Sequence, residues 1–146
     1  MSAAPFALRA ATIGDAAEIA RLSGELGYPV EAAAVAQNLA QLLPRPTHRV
    51  WVAAGASALL GWTSAERRVL VEAGERVELV ALVVDARVRR GGIGQALVAA
   101  VEQWTLAQGA TTLVVRSNVL RVESHPFYAK LGFVRTKTQH SYCKSL

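Results

Sequence analysis

Cysteine is nearly absent from this 146-residue chain: Cys143 stands alone, which excludes an internal disulfide framework and fits a reducing compartment. Histidine is scarce too, and neither His48 nor His140 has a partner at metal-ligand spacing, so no metal site is expected. No apolar run approaches the roughly 20 residues that span a bilayer. The opening MSAAPFALRA lacks the basic-then-apolar layout of a secretory signal. Aromatics make up only 6% and are not interleaved with basic residues, which argues against a nucleic-acid stacking platform. Charged residues amount to 18% against 52% hydrophobic, a balance that excludes a disordered chain. The length suits one domain of the usual size, about 100–200 residues. The expectation is a soluble, cytoplasmic protein with a single domain over residues 1–146.

What charge there is lies unevenly. Residues 1–86 hold seven Arg and nine Asp or Glu, a net of −2. Residues 87–146 hold nine Lys or Arg against only Glu102 and Glu123, a net of +7. The whole-chain excess of +5 therefore belongs to the last 60 residues. Such asymmetry points to a phosphate-bearing partner: nucleic acid, a membrane surface or a phosphorylated small molecule. A merely soluble basic surface is the plainer alternative.

Hydrophobic spacing lays out the elements. Phe6–Ala11 reads as a first strand. Thr12 and Asp15 stand at capping-box spacing before Ile13, Ala16, Ile19 and Leu22, a helix stopped by Gly27 and Pro29. A second helix runs from about Glu31 to Leu42, ended by Pro44 and Pro46. Arg49–Ala54 and Ala58–Ser64 flank a Gly55-Ala56-Ser57 turn, and Arg67–Val71 and Arg76–Val84 flank the turn at residues 72–75. The nearly continuous apolar run Val77–Val84 is expected at the buried centre of the sheet. A helix from Gly92 to about Ala107 presents Ile93, Leu97, Val101 and Trp104 on one face. Thr111–Arg116 is the next strand, Ser124–Leu131 a short helix with Gly132 as its cap, and Phe133–Thr138 with His140–Leu146 a final antiparallel pair. The order is β-α-α-β-β-β-α-β-α-β-β.

One stretch carries chemistry. After Val84 comes Asp85-Ala86-Arg87-Val88-Arg89-Arg90-Gly91-Gly92-Ile93-Gly94-Gln95: a buried strand, a basic glycine-rich loop, then a helix start. Free N–H groups and the dipole at a helix N-terminus attract anions, glycine lets backbone approach a phosphate without a Cβ in the way, and Arg87, Arg89 and Arg90 add charge. Glycine in a helix interior costs about 1 kcal/mol, and a bound pyrophosphate would offset that cost. A nucleotide P-loop would need Lys-Ser/Thr after its last glycine, but Gln95-Ala96 stands there; a dinucleotide G-x-G-x-x-G is also missing.

Arg89-x-x-Gly92-x-Gly94, between strand and helix, resembles the acyl-CoA pyrophosphate motif of the GCN5-related N-acetyltransferase (GNAT) family. Pro126-Phe127-Tyr128-Ala129-Lys130-Leu131-Gly132-Phe133 is similar to the family's second signature, and order and spacing agree over nearly the whole chain. The resemblance implies an α/β (α+β) fold: a mixed, mostly antiparallel central sheet with splayed central strands, flanked by about four helices. It implies acetyl-CoA as acyl donor and transfer of its acetyl group to a primary amine, of a small molecule or a protein, by direct attack. Leu82, Val83 and Val84 would border pantetheine and acetyl, with Leu82 and Val84 offering backbone groups. Arg89, Arg90, Gly91, Gly92, Ile93, Gly94 and Gln95 would hold the pyrophosphate. Asn118 matches a cofactor-contacting position, and Tyr128 matches the tyrosine that protonates the departing thiolate.

The chemistry also needs a base, because a free alkylamine with a pKa near 10.4 is mostly protonated at pH 7. Two-residue alternation puts Glu78 on the face of Val80, Leu82 and Val84, where partial desolvation would make it more basic, and its place resembles the strand glutamate of the family's histone-acetylating branch. The plain alternative is a solvated strand-start glutamate. His125 before Pro126 reads as capping or packing, Cys143 lacks a thiolate-activating context, and Trp51, Trp62 and Trp104 follow core patterns, with Trp62 able to border an acceptor pocket. Tyr28, between the first two helices, borders the substrate cleft in such a fold. A non-catalytic acyl-CoA-binding or sensing module is the alternative function; nucleic-acid binding ranks below both. An apolar last strand offers an edge for a homodimer.

Overall fold

The computed structural model describes residues 4–146 and resolves them into two compact units, one ending at Val115 and one beginning at Arg116. The first unit contains β1 (Ala7–Ala10), α1 (Ala16–Glu25), α2 (Ala32–Leu42), β2 (His48–Ala54), β3 (Leu59–Leu70), β4 (Gly74–Val84), α3 (Ile93–Ala107) and β5 (Leu113–Val115). The strands form one sheet in the order β1-β2-β3-β4-β5. Every neighbouring pair is antiparallel except β4 and β5, which are parallel.

Local signals set the boundaries. The Thr12 backbone N–H donates to the Asp15 carboxylate at 2.8 Å, so the turn Ile13–Asp15 leads into α1 as the capping spacing predicts. Ala58–Ser64 and Arg67–Val71 are parts of one long strand, β3. The middle strand of the sheet is β3, with β4 interior beside it; of the run Val77–Val84, Val77, Leu79 and Val83 are buried as its composition predicts, while Val80 is 57% exposed.

Cross-strand partners share a face, which sorts the core. Val52, Trp62 and Val83 are in register and pack with Ile19, Leu22, Val35 and Leu39 under α1 and α2. The opposite face carries α3: Trp51 meets Trp104 edge-on at 5.7 Å, and Gly61 lies beneath Ile93 and Leu97.

The feature that matters most for the site is a bulge. Ser64 is opposite Ala81 and Ala65 is opposite Leu79, so Val80 is an extra residue in β4. An extra residue changes which face later side chains take. Glu78, opposite Glu66, therefore shares its face with Ala81 and Val83, while Leu82 and Val84 lie on the other face. Strict alternation, which groups Glu78 with Leu82 and Val84, fails at this residue.

The second unit holds α4 (Ser124–Lys130), closed by Gly132 with φ at +93° as its position after the helix predicts. Among the described residues no strand follows β5, so the expected pair Phe133–Thr138 and His140–Leu146 does not form. Val134, Tyr142 and Leu146 are exposed there. Strand propensity in these segments has no ladder partner to act on.

Candidate active site

The bulge and the end of β5 coincide. Among the described residues β5 pairs with β4 only at Val77, Glu78 and Leu79. Before the bulge, the Val77 N–H bonds to the Thr112 carbonyl on the β5 side at 3.0 Å. After it, the Asp85 N–H bonds to the Leu60 carbonyl on the β3 side at 2.9 Å. Backbone groups alternate in direction along a strand, so Val83 and Ala81 also face β3, and Leu82 and Val84 turn theirs toward the side that β5 has left. The strand thus presents a short stretch of backbone donors and acceptors along an edge that β5 does not pair. Val83 differs from its neighbours, with its side chain buried in the core and its backbone toward β3.

That edge runs directly into the basic loop. Asp85, 2% exposed, accepts from the Arg87 backbone N–H at 2.9 Å and from its guanidinium at 2.8 and 3.1 Å. Arg21 of α1 adds a 3.4 Å contact to the same carboxylate while bonding Glu18, Glu25 and the Leu59 carbonyl. The Arg87 guanidinium, first among these causes, holds Asp85 well below the usual carboxylate range. Arg87 is therefore a strut of the loop. Arg89 and Arg90 are exposed, with no acidic partner among the ion pairs of the described residues.

The loop backbone is bent for close approach. Arg90 holds φ at +69° and Gly92 at +85°, a conformation that disfavours side chains. Gly92 caps α3, whose first intrahelical bond runs from the Ala96 N–H to the Gly92 carbonyl. The N–H groups of Ile93, Gly94 and Gln95 are consequently without helical acceptors and form, with Gly91 and Gly92, an anion cradle.

Glu78 is buried, and its Oε1 accepts from Arg68 at 3.0 Å and Arg76 at 3.3 Å. Arg68 also approaches Glu66, which His48 contacts at 2.9 Å. Sequence reading missed these guanidinium partners, although Arg68 and Arg76 occupy hairpin positions that bring them opposite each other. Tyr28 is exposed, Trp51 and Trp104 are core residues, and Trp62 packs against the α1–α2 core with its Nε1 buried and unpartnered.

In the second unit, Asn118 uses its Oδ1 to accept the Leu120 N–H at 2.9 Å, and its carbonyl oxygen lies 3.1 Å from His125 Nε2. Tyr128 meets Phe127 and Phe133 edge-on at 5.2 and 5.6 Å. Burial raises its phenol above the ordinary value, with Arg121 opposing, so the hydroxyl keeps its proton at neutral pH. Cys143 is exposed. No group of His, Cys, Asp and Glu among the described residues is arranged to hold a metal ion. No described helix is long and apolar enough to cross a membrane. A cavity of about 390 Å³ lined by Arg45, Arg49 and Trp104 touches none of the expected site residues.

The acetyltransferase (GNAT) family model matches residues 16–133, taking in the β4 edge, the cradle and α4. The chain belongs to the GNAT family. No curated protein matches it. Among solved structures, this GNAT chain is similar to an aminoglycoside antibiotic 6'-N-acetyltransferase from Acinetobacter haemolyticus at 19% identity and TM-score 0.82, over 96% of this chain and 99% of that one. An aminoglycoside N-acetyltransferase in complex with CoA superposes at TM-score 0.86 with 18% identity, over 98% and 97%. An acetyltransferase of Trypanosoma brucei gives 0.78 at 23% identity, over 96% and 100%. Identities this low establish the shared GNAT fold.

Proposed function

We propose that residues 1–146 act as a single acetyltransferase domain that moves the acetyl group of acetyl-CoA to a primary amine by direct attack. The observation that carries this reading is the continuity of the β4 edge beyond Leu79 with the cradle of residues 89–95. A long thioester arm ending in a pyrophosphate suits that layout, its amides meeting Leu82 and Val84 and its phosphates the N-terminus of α3 with Arg89 and Arg90. The acceptor nitrogen attacks the thioester carbon while the strand backbone steadies the oxygen that gains charge. Glu78 accepts the proton lost by the amine, directly or through water. Tyr128 supplies the proton taken by the departing sulfur, and Asn118 contacts the cofactor. Arg68 and Arg76 fix the direction of the Glu78 carboxylate through their bonds to Oε1.

The acceptor is a primary amine on a small molecule or a protein; the aminoglycoside enzymes among the structural neighbours favour the former. A cytoplasmic location, with acetyl-CoA at hand, completes the proposal. The test is thiol release from acetyl-CoA across an amine panel for wild type, Glu78→Gln and Tyr128→Phe. Wild type turns over at least one amine, and each variant loses about 100-fold or more in kcat, the usual scale of acid–base catalysis. Full activity in both variants removes the two catalytic assignments. Acetyl-CoA binding without turnover on any amine replaces the enzyme with a sensing module, and absence of binding by calorimetry overturns the reading.

A further inference from the structure

Thr63 sits in the middle of β3, fully buried, opposite Leu82 of β4 and Trp51 of β2. A valine would fill the same volume without a polar group to desolvate, so the hydroxyl requires a reason. Its partner supplies one: Thr63 Oγ1 donates to the Ala81 carbonyl at 2.7 Å. Ala81 is the residue immediately after the inserted Val80. The bond therefore clamps β4 at the step where its backbone changes direction. Were Val80 regularly paired instead of bulging, alternation from Val77 would aim Ala81 and Val83 at the edge beyond β5; with the bulge, Leu82 and Val84 take that place.

We infer that Thr63 is a positioning residue for acetyl transfer, its hydroxyl holding the β4 bulge in the register that aims the Leu82 and Val84 backbone at the thioester. The inference rests on the acetyl-CoA reading of the site, and it separates two functions of that site. The cradle at residues 89–95 anchors the phosphates and does not depend on the bulge. Orientation of the reacting carbonyl does depend on it, and small errors in such orientation are costly to rate.

The test compares Thr63→Val, Thr63→Ala and Thr63→Ser by CoA calorimetry, steady-state kinetics and amide hydrogen exchange across Val80–Val84. Thr63→Val is expected to bind CoA within about threefold of wild type while losing about tenfold or more in kcat. Its amides at Val80–Val84 exchange faster, and Thr63→Ser, which keeps the hydroxyl, returns kcat to within about threefold. Where Thr63→Val melts below the assay temperature, Thr63→Ala carries the same comparison. Wild-type kcat in the hydroxyl-free variants, or a serine variant as slow as valine, overturns the inference. Unchanged exchange at Val80–Val84 also overturns it, whatever the activity. Failure of wild type to bind acetyl-CoA is a different result: it removes the acetyl-CoA reading and, with it, the role assigned to the bulge.

Discussion

The same substitution, glycine to alanine, should have opposite effects at two positions of the first unit. At Gly61 a Cβ would stand 2.9 Å from the Val83 carbonyl oxygen, 3.2 Å from Ile93 Cγ2 and 3.3 Å from Leu97 Cδ1. Even a favourable C–H···O contact sits at about 3.3–3.6 Å, and the nearest atom is backbone of the neighbouring strand, which cannot swing aside. Overpacking of this kind costs about 1–3 kcal/mol, and the stiffer unfolded chain returns about 0.4–1 kcal/mol. The net loss is about 1–2 kcal/mol. With an unfolding entropy near 2.1 cal/mol/K per residue, Gly61→Ala should lower Tm by about 3–6 °C. At Gly24, in the last turn of α1, an added Cβ meets nothing within 4 Å. Gly24→Ala should therefore raise stability by about 0.5–1 kcal/mol. Calorimetric melts of both variants read the two signs. A Gly61→Ala protein as stable as wild type would refute the close seating of α3 on β3 and β4. Because Ile93 and Leu97 belong to the first turns of α3, Gly61→Ala should also weaken CoA binding, whereas Gly24→Ala should leave it unchanged.

Acid should destabilise the fold in a definite window. Asp15, Glu18 and Asp85 are held below their ordinary values, chiefly by bonds from Arg9, Arg21 and Arg87 respectively. Their stabilisation is complete above the unfolded values near 3.9–4.3 and is lost as pH falls through that range toward the folded values. Urea midpoints should fall between pH 5 and pH 3, less steeply for Asp85→Asn, and a flat profile would contradict the ion pairing. In the cradle, Arg89→Ala and Arg90→Ala should each weaken CoA binding about tenfold, as loss of a charge-assisted bond does, whereas Arg87→Ala, whose guanidinium is committed to Asp85, should stay within about threefold. Equal losses in all three calorimetric titrations would show that Arg87 leaves Asp85 to hold the ligand. Because burial raises the Tyr128 phenol, a kcat–pH profile should show no loss from its ionisation below about pH 10. A basic limb near pH 8 that disappears in Tyr128→Phe would contradict that placement.

Much of the architecture follows from signals that act over a few residues. The capping pair Thr12–Asp15, the breaks at Gly27 and Gly132 and the amphipathic spacing of Ile93, Leu97, Val101 and Trp104 each settle their element locally. The cradle was legible for the same reason: glycine and arginine just before a helix start are one contiguous stretch of chain. The C-terminal pair failed because a strand is a relation between segments, and the apolar residues of Phe133–Leu146 name no partner. Arg68 and Arg76 were invisible as partners of Glu78 because only the hairpin register of β3 and β4 sets them side by side.

Val80 is the instructive case. Period-two reading assumes that every residue of a strand has an opposite number, and nothing in Glu78-Leu79-Val80-Ala81-Leu82 marks which one lacks it. The information lies on another strand, in a buried threonine whose hydroxyl would be a liability unless something bonded it. The Ala81 carbonyl does so. The low charge content of the chain sharpens the same point: with few ionised groups available, the reacting end of the proposed site is built largely from main-chain N–H and C=O groups, and their direction is set by strand register. Residue types alone therefore mark the glycine- and arginine-rich turn before α3 but not the backbone direction along β4. In the proposed site, arginine and glycine would act through what they are, whereas Leu82 and Val84 would act only through where their backbone points. Replacing Leu82 by isoleucine or methionine should consequently alter kcat less than Thr63→Val does, although Leu82 belongs to the proposed site and Thr63 is its partner on β3. A steady-state comparison in which the Leu82 variants are the slower ones would place the side chain, rather than the backbone, in control.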